Sequence, residues 1–176
     1  MKKQHTVLLR KYLDQGGDGE NVIAFKEAGD ELVDFVARGE KYSWYEAFLR
    51  PIVFLYRHYL ELEIKYWIKE LNNKQLNQGG ELLKEHNLKT LWVLLKSLIQ
   101  PFFGTKEDLD FLKEVEEIVL TFNMYDPTGQ ESRYTRTTKG VKTLRNVPSM
   151  IDVKEVKCLI ERVSNFFTGL EGVVSL

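Results

Sequence analysis

The chain has 176 residues, of which 43% are hydrophobic and 29% charged, with a formal net charge of −1. That balance fits one globular domain of ordinary size and excludes a polycation that coats nucleic acid by bulk charge, so any anion-binding surface must be a local patch. Cys158 is the only cysteine, which excludes an intramolecular disulfide and a cysteine-rich zinc site and suits a reducing compartment. Residues 1 to about 20 read as an N-terminal extension. Its apolar patch, Val7-Leu8-Leu9, is too short for a signal-peptide core. Asp14-Gln15-Gly16-Gly17-Asp18-Gly19 closes it as a turn or linker. No run approaches the roughly 20 apolar residues of a membrane span, so a cytoplasmic protein that does not enter the membrane is expected.

Residues 21–176 read as a single helical domain. The first amphipathic helix is expected over about 21–38, with Val22, Phe25, Leu32, Val33 and Val36 on its apolar face and Gly39 as its stop. The second spans about 43–71, opened by Ser43 with Glu46 as a capping box. Pro51 lies inside it and either bends the helix or marks its start, because proline lacks an N–H and clashes with the preceding turn. Beyond Pro51, Ile52, Leu55, Tyr56, Tyr59, Leu60, Leu62, Tyr66, Trp67 and Leu71 cover a wide arc, as on a central helix with several neighbours.

A polar connection follows over 72–80. Asn87 caps a third helix, about 88–100, packing through Leu88, Leu91, Trp92, Leu94, Leu95, Leu98 and Ile99 and ended by Pro101 and Gly104. Thr105 and Asp108 open a fourth, to about 123, packing through Leu109, Leu112, Val115, Val119 and Phe122. Asp126-Pro127-Thr128-Gly129 is a turn signal. The stretch from there to Pro148 has no helical period, and its Thr-rich part, Tyr134 to Val141, suits a short hairpin. Ser149 and Asp152 open the last helix, about 152–170, with a three-four stripe from Val153 to Leu170. The sum is an all-α bundle of about five helices with one long basic loop before the last.

Three constellations carry the chemistry. Arg57, Glu61 and Lys65 recur every four residues and line one stripe of the second helix, with His58 beside them. That stripe is a solvated face laced by ion pairs, or a polar groove in which Arg57 and Lys65 bind an anion and Glu61 orients them, or a buried structural network. His86 stands just before the third helix, where it caps the N-terminus or faces a ligand at the positive end of the helix dipole. In the loop, Arg133, Arg136, Lys139, Lys142 and Arg145 occur with no acid between them and with Tyr134 interleaved. Such a set suits phosphate contacts and base stacking, or balances the acidic fourth helix as a solvated loop. The three histidines, His5, His58 and His86, lack metal-ligand spacing, and no phosphate-loop, dinucleotide or nucleophile-elbow motif occurs, so neither a metal nor a cofactor is expected. Cys158 lies off the apolar stripe and reads as an incidental thiol.

Taken together, Arg57-His58-Tyr59-Leu60-Glu61-Leu62-Glu63-Ile64-Lys65, then His86-Asn87-Leu88-Lys89-Thr90-Leu91-Trp92, then Ser132-Arg133-Tyr134 resemble the HEPN superfamily, in particular its small bacterial members of defence and toxin systems. The resemblance covers about residues 42–170 and rests on the order and spacing of the three pieces. It implies a helical bundle that dimerises and binds RNA or a nucleotide-type ligand through Arg57, Glu61, Lys65, His86, Arg133, Tyr134 and Arg136. The catalytic members carry an Arg, a short spacer beginning with a polar residue, and then a His. Here Arg50 and His58 come closest, but their spacer is longer and begins with Pro51. The resemblance therefore implies a non-catalytic binding protein. Its alternatives are a metal-independent ribonuclease toxin, with His58 and His86 as candidate catalytic residues, and a dimerising module that holds a partner such as a nucleotidyltransferase.

Overall fold

A computed structural model of the chain describes residues 18–39, 45–75, 84–148 and 150–174. Three helix starts are made by the side chains that the sequence offers. Asn87 Oδ1 accepts the Thr90 N–H at 3.1 Å. Thr105 Oγ1 accepts the Asp108 N–H at 3.1 Å while Asp108 Oδ2 accepts the Thr105 N–H at 3.0 Å, a reciprocal capping box. Asp152 Oδ1 accepts the Lys154 N–H at 2.8 Å. The helices among the described residues are α1 (Asp18–Ala37), α2 (Leu49–Gln75), α3 (Leu88–Ile99), α4 (Lys106–Tyr125) and α5 (Val153–Val174). None of them is long and apolar enough to cross a membrane.

The all-α bundle of five helices expected from the sequence is present. The wide apolar arc on α2 is filled as its breadth implies, because α2 packs against each of the other four helices. Ile52, Val53, Tyr56, Tyr59, Leu60, Ile64 and Ile68 are all fully buried there. Pro51 does not bend this helix. It sits in the first turn, behind a 3₁₀ segment (Tyr45–Phe48), where its missing N–H has no intrahelical partner to lose. On α4 one expected core position is a correction: Leu109 is 45% exposed, and Leu112, Val115, Ile118, Val119 and Phe122 form the buried face. Phe111 is exposed as well, and the buried face of α4 begins at Leu112. Residues 1–17 with His5, the caps Ser43 and Ser149, and residues 76–80 lie outside the described residues, as does the side chain of Glu46.

The basic loop folds back on itself. Arg136 and Lys142 form an isolated antiparallel bridge, with Thr137 N–H donating to Val141 O at 2.8 Å and Gly140 N–H to Thr137 O at 2.9 Å. The turn needs Gly140 at φ +77°, a left-handed conformation that costs glycine nothing. The expected hairpin is thus a tight turn closed by a single bridge, and no strand forms among the described residues.

Candidate functional site

The four-residue spacing of Arg57, Glu61 and Lys65 puts them on one face of α2, but that face is not solvated. Arg57 is 2% exposed and Glu61 3%. The stripe points at the start of α3 and at the turn after α4, and those two segments cover it. Glu61 is the hub: Oε2 accepts from Arg57 Nη1 at 2.7 Å, and Oε1 accepts from Lys65 Nζ at 2.7 Å and lies 2.8 Å from His86 Nδ1. Arg57 then donates Nε to Asp126 O at 2.8 Å and Nη2 to His86 O. Every nitrogen of its guanidinium fork is spent inside the protein. Burial alone would raise the Glu61 carboxyl, but hydrogen bonds from Lys65, Arg57 and His86 outweigh it and hold the pKa down to about 2.

His86 closes this cluster from outside. Its side chain remains 61% exposed while Nδ1 rests on the buried carboxylate, so Nε2 faces outward. It does not cap α3, a role Asn87 takes. The backbone N–H groups of His86 and Asn87 both donate to Glu85 Oε1, at 2.8 and 2.9 Å, which fixes the turn that carries the imidazole.

His58 lies apart from the hub. Its ring meets Phe25 of α1 edge-on at 4.5 Å and stacks on Phe54 at 5.6 Å with an interplanar angle of 8°. Arg133 stands over the same Phe54 ring at 5.2 Å, a cation–π contact. Burial lowers the His58 pKa; Arg133, Arg57 and Lys65 push it the same way and Glu61 opposes them. The charged form of this ring, packed among aromatics, is disfavoured.

The loop is fastened by residues outside the expected site. The Asp126 carboxylate, fully buried, accepts the Glu131 N–H at 3.0 Å, the Ser132 N–H at 3.0 Å and the Ser132 hydroxyl at 2.6 Å. Burial works against its charge, but these bonds prevail and lower its pKa. Arg50 Nη1 donates to Glu131 O, Tyr134 O and Thr143 Oγ1 at 3.0, 2.9 and 3.0 Å. The seven expected ligand-binding residues therefore divide. Arg57, Glu61, Lys65 and His86 form one bonded cluster. Arg133 joins Phe54 and His58. Tyr134 and Arg136 line a separate cavity in the loop. Among the described residues no group of His, Cys, Asp and Glu side chains gathers as a metal set would.

Two carboxyls two residues apart on α2 are shifted in opposite directions. Burial lifts Glu63 to about 7, against a weaker downward pull from the Trp67 indole. Because that folded-state pKa lies above the ordinary value, Glu63 favours folding fully only below its ordinary pKa, and the contribution is lost as pH rises through about 7. Glu61 has the reverse sign: its contribution is complete at neutral pH and is lost as pH falls through the acid range. Glu63→Gln should thus gain about 1–2 kcal/mol over the parent at pH 8, discounting for partial exposure, and nothing at pH 4. Urea unfolding at the two pH values reads this, and an equal effect at both would remove the buried-carboxyl interpretation.

Comparison with protein-family models, with curated proteins and with solved structures gives no match.

Proposed function

We propose that the chain is a HEPN-like helical bundle that binds RNA or a nucleotide-type ligand without cleaving it. The observation that carries this reading is His86, held outward on the buried Glu61 hub beside Lys65, with the basic loop fastened next to the same helix by Arg50 and Asp126. Exposed Arg133, Arg136, Lys139, Lys142 and Arg145 supply cations along that loop. Such groups neutralise phosphates, and the binding then weakens with salt. Ribose 2′-OH chemistry needs a base, an acid and a cation on the phosphate. Arg57 is spent internally and His58 is packed between phenylalanines, so His86 has no ready partner for that task. The resemblance extends the proposal to a cytoplasmic homodimer in a bacterial defence or toxin system.

The test is retention of labelled single-stranded RNA by the purified chain at increasing salt. We expect retention that weakens with salt, and a weaker, flatter dependence after Arg133→Ala with Arg136→Ala or after His86→Ala. Retention that ignores both changes would overturn the reading.

One observation favours a second reading, a metal-independent ribonuclease. A carboxylate on Nδ1 with Nε2 free is the arrangement that orients a histidine for proton transfer. Incubation with total RNA in chelator decides between the two. Cleavage by the parent chain that disappears in His86→Ala establishes the enzyme; intact RNA in both removes it.

A further inference from the structure

The loop between α4 and α5 lines a partly open cavity of about 480 Å³ that shares no lining residue with the Glu61–His86 cluster. That volume lies in the range of small-molecule sites, roughly 300–1,000 Å³. Its walls are set in place by the buried Asp126 and the half-buried Arg50. The Asp126 carboxylate holds the backbone of Glu131, and Arg50 holds the carbonyls of Glu131 and Tyr134 and the Thr143 hydroxyl. Glu131 is fixed further because its Oε2 accepts the Leu144 N–H at 3.0 Å. Arg136 is fixed by donating Nη1 to Gly140 O at 2.8 Å. A cavity whose walls are tied down before a ligand arrives avoids the ordering cost that loop sites usually carry.

The groups left over define the ligand. Tyr134 presents a ring that is 60% exposed. The Gln130 amide and the second Glu131 oxygen have no partner among the described residues, and both belong to the cavity wall. Arg136 keeps donors beyond the one it gives Gly140. Lys139 and Lys142 flank it, exposed, with no acid among them. Together these lining groups supply a flat stacking surface, polar partners that include a carboxylate acceptor, and a cation. We infer that the loop cavity holds one nucleoside monophosphate unit, free or as a residue of an RNA strand. The base stacks on Tyr134, its exocyclic amine donates to Glu131, and the phosphate meets Arg136. Uracil, which has no exocyclic amine, is the disfavoured base. The inference rests on the nucleotide-binding reading above and names where a single base is read.

Calorimetric titration of the full chain with CMP, UMP and cytidine tests it, with a short cytidine oligonucleotide as the strand arm. CMP should bind more tightly than UMP and than cytidine. Tyr134→Ala should weaken CMP at least tenfold, Arg136→Ala should erase the advantage of CMP over cytidine, and Glu131→Gln should narrow the gap between CMP and UMP. The glutamine retains an oxygen for the Leu144 N–H, so thermal unfolding of that variant should match the parent. If CMP and the oligonucleotide bind equally per nucleotide, the free nucleotide suffices; if only the oligonucleotide binds through Tyr134, the unit is read within a strand. Strand retention that depends on His86 and Arg133 but ignores Tyr134→Ala and Glu131→Gln overturns the cavity and leaves the strand-binding reading. CMP binding that depends on Tyr134, with no strand retained, overturns that reading and leaves the cavity.

Discussion

Arg57→Ala should lower stability by about 3–5 kcal/mol, because breaking a buried ion pair leaves an uncompensated charge in place. The site is unforgiving on three counts. Glu61, 3% exposed, loses the 2.7 Å donor on Oε2 and cannot turn to water for another. The carbonyls of Asp126 and His86 lose their donors at the same time. The turn at Gly129, whose backbone lies against the guanidinium, loses its support. Arg57→Lys should recover little, since an ammonium cannot reach three acceptors that match a planar fork. Lys65→Ala offers the contrast. Its side chain is 14% exposed and makes one bond to Glu61, so its loss should cost only about 1 kcal/mol. Equilibrium urea unfolding measures all three. A cost for Arg57→Ala no larger than for Lys65→Ala would mean that Arg57 does not join the three segments as its contacts indicate.

Much of the fold was legible because helix starts and apolar stripes are local. Asn87, Thr105 with Asp108, and Asp152 cap the helices they precede, and each signal lies within one turn. Leu109 was misread because a three-four period gives a face and not its burial, and this residue stays 45% exposed. Ile118 was overlooked beside Val119, although the pattern allows either. The stripe on α2 was legible as a stripe; its burial was not. What covers it comes from His86 and Asp126, 29 and 69 residues away in sequence. Arg50 lies seven residues before Arg57 on the same helix, but its partners lie 81, 84 and 93 residues on. No periodicity reports contacts at that range. Lys26 and Asp30 show the same limit. They stand four apart on α1, a spacing that says nothing of burial, yet both are buried and Asp30 also accepts the Tyr56 hydroxyl at 2.7 Å. One signal was available: Gly29 sits mid-helix, where a Cβ would lie 2.6 Å from the Tyr56 ring. A glycine inside a helix marks a close approach that its neighbours then exploit.

Gly129→Ala should be the second most damaging single change, at about 2–4 kcal/mol, from a left-handed backbone and overpacking together. Gly129 has φ +72°, and a Cβ there would lie 2.8 Å from Arg57 Nη1 and 3.0 Å from Cζ. The far end of an arginine usually gives way to such an intrusion. Here it cannot, because Nε, Nη1 and Nη2 are each held by an internal acceptor. Gly140 separates the two costs. Its φ is +77°, but a Cβ would meet nothing within 4 Å, so Gly140→Ala should lose only the backbone part, about 1–2 kcal/mol. The excess at Gly129 belongs to Arg57. In an Arg57→Met background the guanidinium is gone, and Gly129→Ala should then cost no more than Gly140→Ala does. Because Thr128 and Gln130 on either side of Gly129 line the loop cavity, the same substitution should also weaken CMP binding more than Gly140→Ala does. Equal costs for Gly129→Ala with and without Arg57 would show that the turn stands without its contact to α2, and that the loop's shape is set by Arg50 and Asp126 alone.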